Sequence, residues 1–183
     1  MIGLAEDTGA AALRSAVDLV RLDRPGPQVE RLRTAVLRLR VAPGQRGLVT
    51  EAVETLPRAD ADPDRTPFAV LVDAQPAGYG IIDRGGALAE LSGIAADTAR
   101  AVLLRAFYLA PEHQGRGIGR AACAALAPLV RSVHPHADAA FVIVGEANRA
   151  AVRAYRAGGF LPTGTRLTSA TAGQQTVLRK EVA

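Results

Sequence analysis

Cysteine occurs once in this chain of 183 residues, at position 123; tryptophan is missing and aromatic residues amount to 4%. A lone thiol cannot close an intramolecular disulfide, and no cysteines and histidines cluster at metal-ligand spacing. A disulfide scaffold and a structural metal site are therefore excluded, and a reducing, cytoplasmic setting is expected. Apolar runs fall far short of the ~20 residues that cross a bilayer, so no membrane partner is expected. The opening stretch MIGLAEDTGAAALR places Glu6 and Asp7 before any basic residue and lacks the apolar core of a secretory signal. The formal charge is +4, yet the 22 basic residues are scattered and few aromatics accompany them. That pattern reads as a solvated, arginine-rich surface rather than a nucleic-acid site.

What is present, 49% hydrophobic and 22% charged residues, suits one globular domain with its own core. Residues 16–183 read as that domain. Residues 1–15 read as an N-terminal extension, either a dimer arm or disordered. Alternation of Val17, Leu19, Val20 and Leu22 with charged residues predicts a strand over 16–24. Val29, Leu32, Val36 and Leu39 then recur at helical spacing, and a short second helix carries Val53 and Leu56. The polar run 57–67 reads as a loop, and 68–73 with 78–83 as a hairpin. The small-residue segment 84–100 reads as a loop with a helical turn. Downstream, the pattern predicts a strand over 101–110, a helix over 119–133 kinked at Pro128, and a wholly apolar strand over 139–145. A helix capped by Asn148 and closed by Gly158 and Gly159, then two more strands, complete the chain. The order βααβββαβαββ describes an α/β fold of about seven strands and four helices.

The stretch PEHQGRGIGRAAC (111–123) sets Gly115, Gly117 and Gly119 at alternate positions between Arg116 and Arg120, directly before a helical run. A Rossmann fingerprint needs glycine where Arg120 stands, and a P-loop needs Gly-Lys-Ser/Thr. Both fail. A pyrophosphate cradle fits, because bare backbone at a helix start offers free N–H groups to an anion and the arginines add charge. A glycine turn without a ligand is the alternative.

Gln114-Gly115-Arg116-Gly117-Ile118-Gly119 resembles the acetyl-coenzyme A signature of the GNAT superfamily of N-acetyltransferases. Asn148, Tyr155 seven residues on, and Gly159-Phe160 resemble that family's second landmark. The resemblance implies a mixed sheet with a splay between the fourth and fifth strands, where the coenzyme arm lies along Phe107, Tyr108 and Leu109. Its pyrophosphate would sit on Gln114, Gly115, Arg116, Gly117, Ile118, Gly119 and Arg120, with Asn148 holding the arm and Tyr155 acting as general acid. The resemblance implies acetyl-CoA as cosubstrate and no metal, and many relatives form homodimers. No base is evident: Glu90, Glu146 and a water chain are the candidates, while His113, His134 and His136 read as surface residues. Cys123 reads as a core filler rather than a nucleophile.

Segments 37–49, 75–82 and 103–109 look most like bacterial spermine/spermidine-type acetyltransferases, which implies a small-molecule amine acceptor such as a polyamine. Asp60, Asp62, Asp64, Asp73, Asp83 and Glu90 are the residues that would make its site acidic. A peptide or protein acceptor, and a non-catalytic acyl-CoA sensor, are the alternatives.

Overall fold

The computed structural model describes residues 16–183. The extension 1–15, and with it the dimer-arm reading, lies outside the described residues. Seven strands form one mixed sheet: β1 (Val17–Arg21), β2 (Arg65–Val72), β3 (Gln75–Asp83), β4 (Ala101–Leu109), β5 (Ala139–Gly145), β6 (Leu161–Ser169) and β7 (Gly173–Glu181). They lie in the order β1-β2-β3-β4-β5-β7-β6, and β4 with β5 is the parallel pair. No described helix is long and apolar enough to cross a membrane.

Helices α1 (Pro27–Val36) and α2 (Ala52–Asp60) cover one face, where Leu32, Val36 and Leu56 meet Tyr79, Ile81 and Tyr108. Helices α4 (Ile118–Ala124), α5 (Leu126–Val133) and α6 (Arg149–Ala157) cover the other, packing Ile118, Leu126 and Tyr155 against Phe68, Ile82 and Leu104. A third cluster joins Ala87 and Leu91 to Leu103, Phe141 and Val177.

The described residues hold six α-helices where the sequence predicts about four, and each departure has a physical reason. Helix α3 (Arg84–Glu90) lies inside the segment read as a loop with a helical turn, and is longer than a single turn. Its start contains Gly85 and Gly86, poor helix formers, but Asp83 caps it by accepting from the Gly86 N–H at 2.6 Å, and Ala87 is buried. The helical run 119–133 breaks at Ala125, three residues before Pro128. Pro128 thereby falls in the first turn of α5, where no N–H is needed, and its ring avoids a clash with the Ala124 carbonyl. The loop expected over 57–67 shrinks, because α2 runs on through Pro57 and β2 starts at Arg65. Asp73 and Ala74, at φ 48 and 65, make the tight two-residue turn between β2 and β3.

In β4, Ile81 faces Arg105 and Tyr79 faces Tyr108, so Ala106 and Phe107 together oppose Gly80. This bulge reverses which face each side chain takes: Leu103 and Arg105 share a face with Tyr108, and Leu104 shares the other with Phe107. Ala106 adopts φ 47, a left-handed conformation costing about 1 kcal/mol. Gly80 is required opposite it, since a Cβ there would lie 2.5 Å from the Phe68 ring.

The α4 and α6 ends are equally tight. A Cβ on Gly158 would meet Cys123 Cβ at 2.2 Å, and Lys180 Nζ donates to the carbonyls of Cys123 and Gly158 at 2.8 and 2.6 Å. Gly158→Ala is expected to cost about 3 kcal/mol, read as a lowered urea midpoint at unchanged m-value. An unchanged midpoint would show that the two helix ends can separate freely.

Candidate active site

The β4–β5 ladder holds three residue pairs, Ala101 with Ala139, Val102 with Ala140 and Leu103 with Phe141, and then ends. The Ala110 N–H donates to the Ala77 carbonyl on the β3 side at 2.9 Å. By strand alternation, the main-chain groups of Leu109 and Phe107 face the opposite way, into the gap that opens toward β5. Gln114 Nε2 takes up one of them, donating to the Leu109 carbonyl at 2.8 Å.

The gap holds two cavities, of about 420 and 370 Å³, which share Val49, Phe107, Asn148, Ala151 and Tyr155. The larger runs along Phe107, Tyr108 and Leu109 to Gln114, Gly115, Gly117, Ile118, Gly119 and Arg120, and Arg153 of α6 also borders it. Gly115 and Gly117 adopt φ 71 and 78, so their task is conformational, and Gly117 ends in the N-cap position of α4. Gly119 lies inside α4 without a positive φ, and a Cβ there would make only ordinary contact with Ala154, at 3.4 Å. Arg116 is exposed and does not line the cavity. The Tyr108 side chain turns into the α1–α2 core, where its hydroxyl accepts from the Ala52 N–H at 3.0 Å; only its strand position borders the gap.

The smaller cavity is lined by Glu90 and Arg105 on one side and Ile143, Val144, Leu167 and Gln175 on the other. Tyr155 stands where the two cavities meet, 5% exposed, its ring packed against Phe107 and edge-on to Phe160. Burial pushes its phenol well above the ordinary tyrosine range, so it stays an O–H donor in neutral and alkaline solution. Asn148 caps α6 by accepting from the Ala151 N–H at 3.2 Å and borders both cavities. Glu146 pairs with Arg166 at 3.0 Å and lines a separate depression beside α6. Cys123 is buried, with its thiol pushed up to about 12 by desolvation, which suits a core filler.

The sequence pattern of the Acetyltransferase (GNAT) family matches residues 31–160, which span the gap, the glycine loop and α6. The chain belongs to this family. Solved structures agree at the level of the fold. An aminoglycoside acetyltransferase, AAC(6')-Ib, in complex with paromomycin and acetyl-CoA superposes with TM-score 0.66 at 18% identity, covering 91% of this chain and 93% of that one. Spermidine N-acetyltransferase SpeG from Vibrio cholerae gives 0.60 at 16%, covering 91% and 94%. RimL, a ribosomal alpha-N-protein acetyltransferase with coenzyme A bound, gives 0.62 at 13%, covering 91% and 94%. No curated protein matches the sequence.

Within this GNAT domain the six acidic residues expected to line one acceptor site are taken up in ion pairs and hydrogen bonds, and most of them stay away from the smaller cavity. Asp60 pairs with Arg33, Asp64 with Arg84, and Asp62 with Arg65, while Asp73 accepts from the Ala16 N–H beside the β2–β3 turn. Only Glu90 of the six lines the smaller cavity. It is held there by a chain that sequence spacing does not reveal. Asp83, 1% exposed, accepts from Arg105 Nε at 2.6 Å and Arg65 Nε at 3.2 Å, and Arg105 Nη2 reaches Glu90. Gln45 is a second unforeseen member. Its carboxamide exchanges hydrogen bonds with Gln114 at 2.9 and 3.3 Å, tying the α1–α2 loop to the glycine loop.

Removing Asp83 would take the buried partner from two guanidiniums, leaving Arg65 with Asp62 and Arg105 with Glu90, and would remove the α3 cap at the same time. Asp83→Ala is expected to destabilise by about 3–5 kcal/mol in urea unfolding, where a free surface carboxylate would cost almost nothing.

Proposed function

We propose that the protein transfers the acetyl group of acetyl-CoA to a primary amine by direct attack, with a small-molecule acceptor. The observation that carries this is Tyr155, a buried O–H donor at the one place where the two cavities join. The residues present fit acetyl-CoA. The larger cavity offers unpaired strand edge at Phe107 and at the Leu109 N–H for an extended amide-bearing arm. The loop at Gly115 and Gly117 opens bare backbone beside α4, with Arg120 and Arg153 at its rim for phosphates. Bound there, the coenzyme supplies an activated thioester.

In this reading an N–H of the β4 edge near Leu109 polarises the acetyl carbonyl, and the walls align the amine for attack on its carbon. As the new C–N bond forms and the C–S bond breaks, the Tyr155 hydroxyl would give its proton to the departing sulfur, and the proton that the attacking nitrogen then sheds would restore the phenol. Desolvation that keeps the phenol protonated raises the proton affinity of a thiolate expelled beside it as well, so the transfer stays matched. Asn148 orients the coenzyme arm from the rim it shares with Tyr155. Only the neutral amine attacks, so a proton must leave first. Glu90, the cavity-facing member of the two candidate glutamates, meets the ammonium, and the proton departs to solvent through the open mouth.

Tyr155→Phe should lower kcat for thiol release by about a hundredfold or more, with the Kd for acetyl-CoA by calorimetry unchanged within about twofold. Undiminished kcat would remove Tyr155 from the mechanism. Tight acetyl-CoA binding without turnover on any amine would favour the sensor reading.

A further inference from the structure

We infer that the acceptor is a primary monoamine with an apolar body, selected by the single carboxylate of the smaller cavity; this rests on the acetyltransferase reading above. The cavity's described lining contains two charged side chains, Glu90 and Arg105, and they are paired with each other. The other polar side chains of the lining, Asn148, Tyr155 and Gln175, are uncharged, and the remainder is apolar. Ile143 and Leu167 face the interior, and Leu48, 45% exposed, with the turn residue Ala172 carries that character to the mouth.

The charge behind Glu90 sets how many cations the site can hold. Asp62, Asp83 and Glu90 form a continuous chain with Arg65 and Arg105, through contacts of 3.2 Å (Asp62 to Arg65), 3.2 Å (Arg65 to Asp83) and 2.6 Å (Asp83 to Arg105), closed by the Arg105–Glu90 pair. Three carboxylates against two guanidiniums leave one negative charge. Among these carboxylates only Glu90 borders the cavity. One ammonium therefore completes the chain. A second ammonium of a polyamine or an aminoglycoside would find no second carboxylate in this cavity and would give up hydration there without a counter-ion. An alkyl or arylalkyl body loses water against the same wall and gains. Arg105 is the positioning residue: anchored through Nε on buried Asp83, it fixes where Glu90 presents its carboxylate.

The test compares phenethylamine with spermidine and kanamycin as acceptors for the whole protein. Calorimetric Kd values are measured at saturating coenzyme A, and kcat/KM at saturating acetyl-CoA. Phenethylamine should bind and react at least about tenfold better than either polycation. In Gln175→Glu, which places a second carboxylate on the cavity wall without changing its size, the spermidine-to-phenethylamine ratio of Kd-based affinities should rise by about fivefold or more. Preference for spermidine or kanamycin in the unaltered protein, or an unmoved ratio in the variant, overturns the inference while leaving the acetyltransferase reading intact. Failure to bind acetyl-CoA, together with no thiol release on any amine, overturns that reading and this inference with it.

Discussion

Between β4 and β5 the sheet stops pairing after three residues, although β4 continues to Leu109 and β5 to Gly145. Unpaired strand backbone inside a fold is costly unless something else meets its N–H and C=O groups. The geometry around the gap is arranged to keep it open. The Ala106 bulge interrupts β4 just beyond the last pair of the parallel ladder and puts Phe107 on the α6 face, where Gly80 leaves it room. Phe107 then packs on Tyr155 and holds the phenol at the junction of the two cavities. Gln114 satisfies the Leu109 carbonyl and at the same time holds the glycine loop and the Gln45 loop against the gap.

The second constraint is electrostatic. Asp83 sits at the end of β3, out of water, where a lone carboxylate would be untenable. Two arginines and the Gly86 N–H account for its oxygens, and each contact builds something: the N–H starts α3, and Arg105 reaches Glu90 at that helix's end. A helix of seven residues containing two glycines would not persist in isolation. Clamped at both ends, it becomes one wall of the smaller cavity.

The sequence reports what depends on neighbours in the chain. Strand β5 appears with its full extent because seven consecutive apolar or small residues, AAFVIVG, cannot serve a surface loop, and α6 appears because Asn148 and the Gly158–Gly159 pair mark both ends. The glycine loop is legible because φ near 70 at Gly115 and Gly117 leaves few other residues suitable. What stays hidden depends on partners far along the chain. The cap that makes α3 comes from a carboxylate whose other bonds are set by Arg65 and Arg105. The Gln45–Gln114 pair joins residues 69 apart. That Asp60, Asp62, Asp64 and Asp73 stay out of the smaller cavity could not be read from the sequence, since each answers to an arginine or a backbone N–H placed by the fold.

The acetyltransferase reading requires the unpaired edge of β4 to seat the coenzyme arm. A crystal structure of the protein with coenzyme A tests this most directly. An extended pantetheine arm hydrogen-bonded to the main chain of Phe107 and Leu109, the pyrophosphate on the Gly115–Gly119 backbone, and the sulfur beside the Tyr155 hydroxyl are expected. Coenzyme A bound elsewhere, or β4 and β5 closed on each other with Tyr155 remote from the sulfur, would contradict it.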